Sequence, residues 1–129
     1  MKSMREQVVA VVDDDTRVLE SLEDLLQSAG HRVHLFNSAQ PLLENPAFGE
    51  IDCLISDIGM PAIDGFDLER LARAARPELP VILITGRLEL IKGRQITARG
   101  ENRTFLLKPF SERELLGAIN DALEPRPRT

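Results

Sequence analysis

Five residues of this chain have types and positions that could do chemistry together: Asp13 and Asp14 in "VVDDD", Asp57 in "ISDIGMP", Thr85 in "VILITG" and Lys108 in "FLLKPF". Each closes or follows a short apolar run of strand length. Residues at neighbouring strand ends converge in space even when they are far apart in sequence. Three carboxylates would then face one ammonium and one hydroxyl. Two carboxylates about 4 Å apart, at an effective dielectric near 20, repel by roughly 4 kcal/mol. Asp13, Asp14 and Asp57 therefore cannot stay ionised together cheaply without a cation. A hard divalent ion with oxygen ligands meets that demand, and Mg2+ is the usual one where phosphate chemistry follows. Together with Lys108 it neutralises the three carboxylates, so that a phosphoryl group can enter, and the Thr85 hydroxyl adds a donor. Asp57 is the natural nucleophile, because an aspartyl carboxylate accepts phosphoryl as an acyl phosphate.

The elements that must position these groups alternate in kind. Apolar runs of strand length occur at 8–12, 33–36, 51–55, 81–84 and 105–107, several of them β-branched. Helical periodicity lies between them. In "TRVLESLEDLLQSAG", Val18, Leu19, Leu22, Leu25, Leu26 and Ala29 recur on one face and Gly30 supplies the stop. Ser38 can cap a short helix holding Leu42 and Leu43. After Gly65, the residues Leu68, Leu71, Ala72 and Ala75 share a face until Pro77 ends the segment. Ser111 and Glu114 form a capping box before Leu115, Ile119, Ala122 and Leu123. Residues 86–103 are expected to hold a further helix, with a thin stripe of Leu88, Ile91 and Ile96 interrupted by Gly93.

Strand and helix thus alternate five times. Parallel strands need crossovers, and these are nearly always right-handed. The pattern predicts an α/β, flavodoxin-like, doubly wound (βα)5 fold: a five-stranded parallel sheet of order 2-1-3-4-5 with helices on both faces. Such a fold binds at the carboxyl ends of its strands, where the five residues lie. Residues 1–7 read as an N-terminal extension, 8–123 as one domain, and "EPRPRT" at 124–129 as a tail or the start of a linker.

Composition excludes other classes. The 129 residues carry a net charge of -5, and phenylalanine is the sole aromatic type, which argues against nucleic-acid binding by this domain. No apolar run approaches the roughly 20 residues of a membrane span, and "MKSMREQ" lacks the pattern of a signal peptide. The cytoplasm is the expected location. Cys53 is the single cysteine, which rules out an internal disulfide and suits a buried thiol. His31 and His34 fall on one predicted strand, where alternation sends them to opposite faces and away from a joint metal site. Asp15 reads as a helix cap, Asp64 as turn chemistry before Gly65, and Met60 with Pro61 as shaping a loop.

The motifs "VVDDD", "ISDIGMPAIDGFDL", "VILITG" and "FLLKPF", in this order, resemble the receiver domain of two-component response regulators from about Val8 to Leu123. The flanks of the first helix look most like receivers of LuxR-type transcriptional regulators. The resemblance implies that Asp57 is the phosphoacceptor, that Asp14, Asp57 and the Gly59 carbonyl bind Mg2+, and that Asp13 acts through metal-bound water. Lys108 and Thr85 would hold the phosphoryl group, Phe105 would change rotamer with Thr85, and the bond to Pro109 would be cis. Gly59 and Arg87 stand at positions that tune phosphate lifetime. The implied partners are a histidine kinase or phosphotransfer protein, and an output domain or partner protein on the face of the last two helices and the fifth strand. A homodimer is also compatible. From Thr85 to Lys108 the chain runs about one residue longer than the commonest receiver spacing and lacks the usual alanine-rich helix.

Other readings fit less well. A calcium loop fails because Arg17 and Val18 occupy its third ligand and glycine positions. An aspartyl-phosphate hydrolase with Asp13 as nucleophile would need Thr or Val where Arg17 stands. A pseudo-receiver, a binding module without phosphorylation, would not need the complete set of five residues.

Overall fold

Strands in the middle of a parallel sheet are covered on both faces, so they read as unbroken apolar runs. β1 (Val8–Val12), β3 (Cys53–Asp57) and β4 (Val81–Thr85) are buried at every residue. β2 (Arg32–Phe36) and β5 (Arg103–Leu107) are partly exposed along their length and form the two edges. The computed structural model describes residues 6–87 and 103–123. Its sheet has the order β2-β1-β3-β4-β5 with every pairing parallel, the order expected from the alternation of the sequence. The helix expected at 86–103 falls almost wholly outside the described residues, as does the tail.

Alternate strand residues point to opposite faces and build two apolar layers. On one face α1 (Thr16–Ser28) and α4 (Glu112–Leu123) pack Leu22, Leu26, Leu115 and Ile119 against Val9, Val11, Ile55, Ile82 and Ile84. On the other, α2 (Ala39–Leu43) and α3 (Gly65–Ala75) pack Leu42, Leu68 and Ala72 against Ala10, Val12, Leu54, Val81 and Leu83. Each fully buried Leu or Ile contributes about 1.5–3 kcal/mol, so the layers hold the sheet from both sides.

Local signals end the helices. The Asp15 carboxylate accepts the Arg17 N–H at 3.0 Å and caps α1, and Gly30 takes φ 93° just beyond its end. Ser111 and Glu114 form the reciprocal capping box before α4, with bonds of 3.0 and 2.8 Å. Ser38 occupies the N-cap of α2 without a side-chain bond.

Packing moved several expectations. The third strand begins at Cys53, two residues later than the apolar run suggests. Asp52 is pinned across the start of β1, its carboxylate accepting the Val8 N–H at 2.8 Å and its own N–H donating to the Val8 carbonyl at 2.7 Å. His31 precedes β2 rather than lying in it, and its Nδ1 accepts the Gln7 N–H at 3.3 Å. Asp64 is more than a turn residue: it caps α3 by accepting the Asp67 N–H at 2.8 Å. Ala29 lies beyond the end of α1 and is exposed. On α3 the buried stripe is Gly65, Leu68, Glu69 and Ala72, while Leu71 and Ala75 are exposed. Gly65 seats the start of the helix closely on the sheet, and the buried face that follows includes an acid in place of the expected Leu71.

Cys53 is fully buried, and burial pushes its thiol up to about 12. The thiolate is the reactive form. Native protein at about pH 8 is therefore expected to resist a thiol reagent for hours and to react within minutes in urea, read as the mass of the adduct. Fast labelling of the native chain would show that β3 is not packed as described.

Candidate functional site

Three backbone bonds carry the ladders one residue past the strands and set the rim. Asp13 N–H donates to the Phe36 carbonyl at 3.1 Å, Ile58 N–H to Ile84 at 2.9 Å, and Lys108 N–H to Thr85 at 2.7 Å. The register pairs Val12 with Ser56 and Thr85 with Leu107. Asp13 consequently stands level with Asp57, and Lys108 one step beyond the end of β5. Carboxylate oxygens of Asp13, Asp14 and Asp57 lie within 4.8 Å of one another. Lys108 reaches between two of them, its Nζ 3.3 Å from Asp57 Oδ1 and 3.6 Å from Asp13 Oδ2.

The three acids differ in surroundings. Asp14 is exposed, Asp57 is 9% exposed and Asp13 only 1%. Burial raises the Asp13 carboxyl above its ordinary value, and the charges of Asp57 and Asp14 add to the shift. The Asp15 N–H, 2.9 Å from Asp13 Oδ1, and the Lys108 charge oppose it. Asp13 Oδ2 is buried without a hydrogen-bond partner. Three carboxylates against one ammonium leave two negative charges, the complement of one divalent cation. The oxygen donors and the orphaned Asp13 oxygen fit a hard ion such as Mg2+.

The remaining expected residues are placed as follows. Thr85 is buried at the end of β4, and its Oγ1 accepts the Arg87 N–H at 3.0 Å. Arg87 itself is exposed. Gly59 lies exposed in the loop after β3, where the next N–H, of Met60, donates to the Ile58 carbonyl at 3.0 Å. Phe105 packs from β5 towards α3, its ring centroid 6.1 Å from that of Phe66. The Lys108–Pro109 bond is cis.

Two residues to which sequence reasoning gave no part in the site shape the loop after Asp57. A Cβ on Gly65 would meet the Asp57 carbonyl oxygen at 2.6 Å and Ile58 Cα at 2.7 Å. The Gly65 N–H bonds the Ile58 carbonyl at 2.9 Å. The start of α3 thus lies directly on the backbone of Asp57 and Ile58. Ala62 holds φ 66°, a left-handed conformation that glycine adopts at lower cost. The signal for Gly65 was its place after the helix cap Asp64, but close approach depends on the third dimension.

A parallel sheet whose carboxyl-end rim gathers three acids and a lysine defines a doubly wound α/β domain with an acidic site at the strand ends. The family model "Response regulator receiver domain" matches residues 9–120, and the chain belongs to that family. It is 37% identical over 124 residues to the response regulator protein TmoT of Ectopseudomonas mendocina, which covers 96% of this chain and 56% of that protein. It is 33% identical over 115 residues to the transcriptional regulatory protein FixJ of Bradyrhizobium diazoefficiens, 89% of this chain and 56% of that protein. The chain therefore spans little more than half the length of either relative. Among solved structures, a response regulator receiver domain protein from Clostridium thermocellum superposes with a TM-score of 0.78 at 29% identity, covering 91% of this chain and 94% of that one.

Gly65→Ala forces α3 off the Asp57 backbone and is expected to destabilise the fold by about 1–3 kcal/mol, measured as a lowered urea midpoint. Ala62→Gly relieves the left-handed strain and is expected to stabilise the fold by roughly 0.5 kcal/mol or more, read as a raised midpoint in the same assay. Equal midpoints for both variants would contradict the loop geometry.

Proposed function

We propose that this chain is a phosphoacceptor receiver that takes a phosphoryl group from the phosphohistidine of a kinase or phosphotransfer protein onto Asp57. The observation that carries the reading is the Asp13, Asp14 and Asp57 cluster, with the Lys108 ammonium 3.3 Å from Asp57 Oδ1. In the transfer an oxygen of Asp57 forms the new O–P bond while the donor's N–P bond breaks, and the imidazole leaves with the electron pair. Protein groups assist by positioning and by neutralising charge. Lys108 is placed to pair with the phosphoryl oxygens as they approach Asp57. The Thr85 hydroxyl is the second donor, once it gives up its contact with the Arg87 N–H. Asp13, Asp14, Asp57 and the Gly59 carbonyl would hold Mg2+, which when bound offsets the charge of the carboxylates and the incoming phosphoryl group. Gly59 and Arg87 flank the site and tune the lifetime of the acyl phosphate.

A groove of about 720 Å3 opens beside Lys108, between Val18 and Leu22 of α1 and Pro109 and Phe110. It offers the donor protein an apolar surface next to the acceptor. Phosphorylation then acts as a population shift between two conformers, coupled through Thr85 and Phe105 to the face of β5 and α4. Residues 8–123 form the receiver, preceded by the extension at 1–7. The output would lie with an output domain, a partner protein or a second copy of the chain. FixJ is named a transcriptional regulatory protein, and the likeness to LuxR-type receivers supports the same output here. The absence of a long apolar helix among the described residues is compatible with work in the cytoplasm.

Incubation with Mg2+ and acetyl phosphate is expected to add about 80 Da, one phosphoryl group, to the wild type and nothing to Asp57→Asn, read by intact mass. Chelation should abolish the adduct. A wild type without adduct and without response to beryllofluoride would make the chain a binding module. Steady phosphate release from phosphate esters that requires Asp13 would make it a hydrolase.

A further inference from the structure

The buried stripe of α3 carries a charge. Glu69 lies beside Leu68 and Ala72 and is 3% exposed. Its Oε2 accepts from Arg103 Nε at 2.7 Å and lies 3.7 Å from Arg73 Nη2. The Arg103 guanidinium in turn sits 5.9 Å from the centroid of the Phe105 ring, two residues along β5. Phe66, three residues before Glu69 on α3, meets the same ring at 6.1 Å with the planes 55° apart. One helix face therefore grips β5 through two contiguous contacts, ionic at Arg103 and aromatic at Phe105.

Stability alone gives no reason for the charges. Buried ion pairs replaced by apolar residues of similar volume often leave a fold as stable or more so, and their best-attested use is to fix register or arrangement. The thing fixed here is the strand that ends in Lys108. Arg103 and Phe105 project from β5 towards α3, and three residues after Phe105 the chain delivers the ammonium that lies 3.3 Å from Asp57.

We propose that Glu69 is a positioning residue of the switch: through Arg103 it clamps the Phe105 ring against Phe66 and sets how readily β5 leaves its resting arrangement when Asp57 is occupied. The inference rests on the phosphoacceptor reading above. Breaking the clamp lowers the cost of the switched conformer, so the unmodified protein should populate it more and beryllofluoride should bind more tightly.

The test uses the full chain with 13C-labelled phenylalanine, Mg2+ and beryllofluoride as the probe. In the wild type the Phe105 ring signals move on saturation. In Glu69→Gln they should already lie part of the way to the bound position without the probe, and the midpoint of the beryllofluoride titration should fall about 3- to 10-fold. Arg103→Met, which keeps the apolar stem, should do the same and decides the matter if Glu69→Gln fails to fold. Arg103→Lys retains a cation within reach of Glu69 and should stay near the wild type. The double variant Glu69→Gln with Arg103→Met should shift by less than the sum of the two single ones, because the Glu69–Arg103 interaction is lost in both. Folded variants with wild-type ring signals and an unchanged midpoint overturn the clamp while leaving the acetyl phosphate adduct intact. An adduct with immobile Phe105 signals in the wild type overturns the clamp alone; loss of the adduct as well overturns the phosphoacceptor reading with it.

Discussion

Like-charge repulsion at the carboxyl rim is the constraint that the rest of the structure must meet. Oxygens of Asp13, Asp14 and Asp57 are held within 4.8 Å of one another, and flexible loops would relax such a cluster by moving apart. Here the backbone resists. Asp57 is the last residue of a fully buried strand, and Asp13 continues the ladder of another by one bond to Phe36. The apolar layers on both faces hold those strands, so the burial of Leu26, Leu54 or Val81, away from the rim, is what keeps the acids together. Lys108 arrives from the edge strand and offsets part of the charge. What remains is the demand for a divalent cation.

Much of this was legible because it is written in abrupt local contrasts. An unbroken apolar run that ends in "DDD" marks both a buried strand and the acids at its end, and the same contrast marks Asp57 and Lys108. The alternation of runs and stripes then predicts the strand order, since parallel strands admit few connections. The caps at Asp15 and Ser111 are equally local, each satisfied within three residues.

What was not legible depends on contacts between elements. Periodicity marks a stripe on α3 but not which of its flanks turns inward, so Leu71 was expected inside, whereas Glu69 is the buried residue. The orientation is decided by Gly65, where the helix lies against the Asp57 carbonyl with no room for a Cβ. Asp52 looks in sequence like an interruption of an apolar strand; across the sheet it completes the bonding of Val8 and delays the start of β3. Ala62 gives no sign in sequence of its left-handed backbone.

Among the described elements, α3 touches the site by two separate routes. Its first residue rests on the Asp57 backbone, and its buried face grips β5 through Phe66 and Glu69. The second route matters because β5 is an edge strand, paired to β4 alone. Ladder bonds lie in the plane of the sheet and hold the strands at their spacing; they resist tilting of an edge strand out of that plane much less. Side chains that reach from β5 to the covering helix supply that resistance. The backbone of Asp57 and the strand that leads to Lys108 are thus both packed against one helix, at its first residue and along its buried face.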